Sequence, residues 1–179
     1  GDPACGAGLA KAQYDAADNM TDRQGALAVL AGLDAPERQA AFDDFYARYR
    51  GDALVIDKWF ALQASAPRAD ALDTVAALRG HVDFTLKNPN RLRALVGGLA
   101  ANHWQFHSAD GRGYRMLANF IVEADAINPQ VAARLVPPLG RWRRLEEGRS
   151  AQMRAALERI VATPGLSKDV FEQASKSLG

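Results

Sequence analysis

The chain has 179 residues, 48% of them hydrophobic and 24% charged, enough apolar side chain for one sizeable core. Lys and Arg number 22 against 21 Asp and Glu, so the formal net charge is +1 and no global field draws the chain to nucleic acid or an anionic membrane. The single cysteine, Cys5, excludes an internal disulfide, and apolar runs such as 26–33 and 94–101 fall short of the roughly 20 residues a spanning helix needs.

Helical spacing predicts helices over 3–18, 22–33, 36–50, 53–65, 69–79, 89–101, 112–127, 129–136, 139–162 and 168–178. In chain order, Thr21 with Gln24 and Asp34 with Glu37 read as capping boxes, the second with Pro36 in its first turn. Phe42, Phe45, Tyr46 and Tyr49 form an apolar stripe at i, i+3, i+4 and i+7, and Trp59 lies in a helix that is apolar nearly all round. Asn88-Pro89 and Asn128-Pro129 read as N-cap followed by first-turn proline. Leu92, Leu95, Val96 and Leu99 repeat the stripe, as do Tyr114, Leu117, Phe120, Ile121 and Ala124. Ser167, with Asp169 close behind, opens the last helix. No sustained period-two alternation appears, so no sheet is expected.

Connections are short, which favours antiparallel neighbours. The two Asn-Pro starts are 40 residues apart, near the length of a HEAT or armadillo repeat. The expected fold is all-α, with stacked antiparallel helix pairs forming part of a superhelix. Residues 1–179 read as a single helical-repeat domain. The start at Gly1 rather than Met suggests a longer parent.

Motifs for chemistry are incomplete. His103 and His107 stand at i, i+4, but Trp104, Gln105 and Phe106 between them leave out the Glu of H-E-x-x-H. The pair is read as structural, flanking a helix end, and so is His81 after Gly80. Cys5 has no histidine close in sequence, no G-x-S-x-G elbow occurs, and Gly6-Ala7-Gly8 is too short for a phosphate loop. Asp43-Asp44 and Glu146-Glu147 are adjacent, hence about 100° apart around a helix, and are read as solvated faces. Arg141, Arg143, Arg144 and Arg149 with Trp142 form the one basic cluster, read as a solvated or interface helix rather than a nucleic-acid surface. Arg93 and Arg134, one in each helix begun by Asn-Pro, are candidates to project together onto a concave face of the stack.

Several stretches, in order, resemble the C-terminal helical domain of bacterial aminopeptidase N, a gluzincin-type zinc metallopeptidase. They are Asn19-Met20-Thr21-Asp22, 52–60 (DALVIDKWF), Asn88-Pro89-Asn90-Arg91, Phe106-His107 with Asp110-Gly111 and Gly113-Tyr114, Asn128-Pro129-Gln130-Val131-Ala132, and 153–158 (MRAALE). The resemblance implies an N-terminal β domain, a thermolysin-like catalytic domain and a β-sandwich preceding a superhelix that closes over an active-site chamber. It implies zinc in the parent enzyme, held through H-E-x-x-H and a further Glu, and an amine site in a G-A-M-E-N motif. None of these motifs occurs in this chain, so no catalytic or metal residue and no cofactor is expected within it. Expected partners are the N-terminal and catalytic domains of the same polypeptide and the parent's peptide substrates, with neither nucleic acid nor membrane, in the bacterial cytoplasm. The alternative reading is a free-standing helical-repeat scaffold for protein partners.

Overall fold

A computed structural model describes residues 3–179. Every regular element among them is helical: α1 (Pro3–Ala16), α2 (Met20–Ala31), α3 (Pro36–Tyr49), α4 (Ala53–Ala64), α5 (Ala71–Arg79), α6 (Pro89–Ala101), α7 (His103–Phe106), α8 (Arg112–Asp125), α9 (Pro129–Ala133), α10 (Glu147–Val161) and α11 (Lys168–Leu178). A 3-10 segment, Pro137–Arg144, lies between α9 and α10.

Asparagine does much of the starting. Asn88 Oδ1 accepts from the N–H groups of Asn90 and Arg91 at 3.0 and 3.2 Å, and Asn128 Oδ1 accepts from Val131 at 3.1 Å. Ser167 Oγ caps α11 through Val170 N–H. The two capping boxes read from sequence are not formed. Asn19, not Thr21, caps α2 by accepting from Asp22 N–H at 2.9 Å. Ala35 precedes α3 without a side-chain cap, and Asp34 turns instead to Arg68.

The helix expected over 139–162 is two elements. Pro137 and Pro138 remove two N–H donors, and the chain winds with three residues per turn. Leu139, Trp142 and Leu145 therefore fall on one inward face, with Leu139 fully buried. Leu145 then turns extended, and Glu146 begins a new helix by accepting from Gly148 and Arg149 N–H groups at 2.7 and 2.8 Å. The helix expected over 129–136 ends at Ala133, and α7 is a short turn that no apolar period announced.

The helices stack as antiparallel pairs in an armadillo-like arrangement. Each even-numbered helix from α2 packs on the next, through α4, α6 and α8 to α10, while α1 packs on α3 and α9 on α11. One connected core runs from Ala10 to Ala174. The α4–α6 contact is close: a Cβ on Gly98 would stand 2.8 Å from Ala64 Cβ and 2.9 Å from Ala61 O. Glycine at 98 is what lets these two helices meet.

Candidate functional site

Arg93 is exposed on the first turns of α6. Its Nε donates to Pro89 O at 3.1 Å and its Nη2 to Asn90 Oδ1 at 2.5 Å, so the guanidinium folds back on its own helix start. Arg134 is exposed and follows directly on α9. Neither forms an ion pair among the described residues. Although both helices begin with Asn-Pro, α6 belongs to the even-numbered row, whereas α9 packs on α8 and α11. They are joined through α8 rather than side by side.

The histidines are built into structure. His103 and His107 have parallel rings with centroids 6.0 Å apart. His107 Nδ1 lies 2.8 Å from the hydroxyl of Tyr114, a fully buried residue, and its carbonyl accepts from Arg149 Nε at 2.7 Å. Burial first, then the charges of His103 and Arg149, hold the His107 imidazole below its ordinary value, so the neutral ring and the neutral phenol share one hydrogen bond. A zinc ion needs three or four converging donors. Among the described residues no three His, Cys, Asp or Glu side chains converge in that way, and these residues do not fit the ion. His81 packs its ring between Tyr46, Trp59 and Phe60 and accepts from Asp83 N–H at 3.1 Å.

The adjacent carboxylates part company. Asp44 accepts from Tyr14 Oη and Arg48 Nε, while Asp43 takes Gln39. Glu146 is a helix cap, and Glu147 is exposed. A cleft of about 310 Å³ opens between Gly32, Asp34, Pro67, Arg68, Asp70 and the exposed Trp104. Its polar groups satisfy one another: Arg68 pairs with Asp70 at 2.8 Å and Asp34 at 3.3 Å and donates to Leu33 O.

The arginine that sequence reasoning passed over is Arg91. It is 5% exposed, its Nε meets Asp57 Oδ1 at 2.5 Å, and its Nη1 donates to Asp83 O. The guanidinium also covers the ring of Phe60 at 4.9 Å. A signal was present: Arg91, Leu95 and Gly98 stand at i, i+4 and i+7, which puts Arg91 on the buried face of α6.

An all-helical stack of this kind, its antiparallel helix pairs packed in rows, is an ARM-repeat domain. The chain belongs to the family described as "Domain of unknown function (DUF3458_C) ARM repeats", whose model matches residues 1–179. It is 50% identical over 167 residues to aminopeptidase N of Caulobacter vibrioides, covering 93% of this chain and 19% of that one. With aminopeptidase N of Escherichia coli the identity is 41% over 171 residues, covering 95% and 20%. With that of Haemophilus influenzae it is 42% over 174 residues, covering 97% and 20%. The crystal structure of Legionella pneumophila aminopeptidase A in complex with aspartic acid superposes with a TM-score of 0.91 at 34% identity, over 96% of this chain and 20% of that one. The chain thus spans about one fifth of the length of the curated relatives it matches.

Proposed function

We propose that this chain is the C-terminal part of the helical superhelix of a bacterial cytoplasmic zinc aminopeptidase. In this reading residues 1–179 act as one unit that bounds the active-site chamber and limits or guides the entry of peptides. The zinc and the catalytic groups lie in the rest of the same polypeptide, whose N-terminal and catalytic domains are the partners of this one. The observation that carries the reading is the near-complete match of this chain to one fifth of each of three aminopeptidase N chains.

Arg93 and Arg134 are proposed to contact the outer part of bound peptides. Both are exposed, neither is locked in an ion pair among the described residues, and a guanidinium offers a planar fork to peptide carbonyls or a terminal carboxylate. The test is a full-length aminopeptidase carrying this domain, with Arg93→Ala and Arg134→Ala made singly. kcat/KM for peptides of four or more residues is expected to fall by about 1–2 kcal/mol of transition-state binding, with aminoacyl amides little changed. Equal losses on long and short substrates would defeat the assignment of these two arginines. A full-length chain that releases no N-terminal residues with zinc bound would defeat the larger reading.

A further inference from the structure

The near-zero net charge conceals a division. Residues 1–88 carry 13 acidic and 9 basic side chains, a balance of −4, whereas residues 89–179 carry 8 and 13, a balance of +5. Within the second half, 126–145 holds four arginines and no acidic residue. Most arginines of the chain are engaged. Those with neither an ion pair nor a hydrogen bond among the described residues are Arg50, Arg134, Arg141 and Arg144, and the last two share the 3-10 segment.

That segment is a rigid mount. With three residues per turn, its faces separate cleanly. Leu139, Trp142 and Leu145 turn inward, and Trp142 Nε1 donates to Ser177 O at 3.0 Å. Gly140 and Arg143 face the end of α11: a Cβ on Gly140 would meet Ser177 Oγ at 3.2 Å, and Arg143 Nη2 donates to Leu178 O and Gly179 O at 2.6 and 3.0 Å. Arg141 and Arg144 occupy the remaining face. At i, i+3 in a 3-10 helix their side chains eclipse, about 6 Å apart along the axis. Two guanidinium groups rooted three residues apart on one face, with no carboxylate answering either among the described residues, form a basic ridge on an ordered backbone, so the entropy lost there on binding is that of the side chains.

We propose that the Arg141–Arg144 ridge docks an extended acidic peptide segment with carboxylates on alternate residues. Alternate side chains of a strand lie on one face about 6.7 Å apart, close to the spacing of the ridge, and each carboxylate accepts two N–H bonds from one guanidinium. A nucleic-acid strand is the poorer match. The ridge offers two cations rather than a continuous track. The ridge is independent of the chamber role proposed for Arg93 and Arg134.

The test uses the 179-residue chain and a fluorescein-labelled decapeptide of alternating Glu and Ser, read by fluorescence anisotropy at low ionic strength. Its controls are the same peptide with Gln for Glu and a ten-nucleotide oligothymidylate. The Glu peptide is expected to bind, more weakly as salt rises, and the Arg141→Gln/Arg144→Gln double variant to lose about tenfold in affinity. Arg50→Gln, which removes an unpaired arginine elsewhere, is expected to bind as before. A charge-reversed Arg141→Glu/Arg144→Glu chain is expected to take up a Lys-Ser peptide that the parent chain refuses. Undiminished binding by the double variant, equal binding of the Gln peptide, or tighter binding of the oligothymidylate would each overturn the proposal.

Discussion

Asp57→Ala places a charge in the interior with nothing to answer it. The Arg91 side chain is 7% exposed and the Asp57 side chain 14%, so neither ion is screened as a surface pair would be. Without the carboxylate, the guanidinium keeps Asp83 O and a longer contact of 3.4 Å to Ala53 O, and both are neutral acceptors. Breaking a buried pair from one side costs about 3–5 kcal/mol. In a chain of this length each kcal/mol moves the midpoint by about 2–4 °C, so Asp57→Ala should lower Tm by about 6–20 °C. Arg91→Met removes the charge but keeps the stem over Phe60, and combined with Asp57→Leu it should recover much of the loss. Urea and thermal unfolding followed by circular dichroism at 222 nm read all the variants. A shift below about 2 °C for Asp57→Ala would refute the reasoning, as would a double variant whose loss is the plain sum of the two singles.

Gly98→Ala should destabilise by about 1–3 kcal/mol in urea titrations, since its methyl group meets Ala64 Cβ and the Ala61 carbonyl at under 3 Å and the α4–α6 pair must part; a neutral or stabilising effect would show that the contact relaxes freely. Stability should fall as pH drops below about 6.5, because His107 is held neutral by burial and protonates more readily once unfolded. His107→Asn, whose Oδ1 replaces Nδ1 toward Tyr114, should remove that part of the slope between pH 7 and 5 while leaving the slope at lower pH, where carboxylates such as Asp70 beside Arg68 titrate.

The apolar period made most of the helices legible, because burying one stripe of each is what the stack requires. The stripes 92, 95, 96, 99 and 114, 117, 120, 121 are almost wholly buried. Caps were legible where Asn or Ser stood alone before a proline or an apolar run, at 88, 128 and 167. They were misread at 21, where Asn19 two residues earlier takes the role, and at 34, where the carboxylate pairs with Arg68 from a distant turn. The break at 145–146 was hidden because a 3-10 turn and an α-turn both place apolar residues three apart. Only the paired prolines and Gly140 hinted at the tighter winding. Asp57 and Arg91 could not be joined in advance, since a pair 34 residues apart is visible only once α4 lies on α6.

Close packing and polar ties together set the register of the stack. Packed faces interdigitate, as where Gly98 admits Ala61 and Ala64, and the carbonyls freed at helix ends add a directional requirement, because those removed from water must find a donor. In this chain the donors come repeatedly from side chains roughly one repeat away. Arg68 reaches Leu33 O across 35 residues, Asn102 reaches Ala64 O and Ala66 O across 38 and 36, Arg149 reaches His107 O across 42 and Gln152 reaches Ala109 O across 43. The Asp57–Arg91 and Asp125–Ser167 contacts span 34 and 42. A slip by one turn of about 5.4 Å would break a donor–acceptor contact at each junction, at about 1–3 kcal/mol where the group is buried, as at Asn102, and less where water can replace the partner, as at Ala109 O. Cutting one tie therefore loosens one junction and leaves the others standing. Hydrogen exchange after Asn102→Ala should accordingly rise in the turn 64–66 and at the start of α7, with α10 and α11 protected as before; a uniform rise along the whole chain would mean that the stack unfolds as one unit and that its ties are not local.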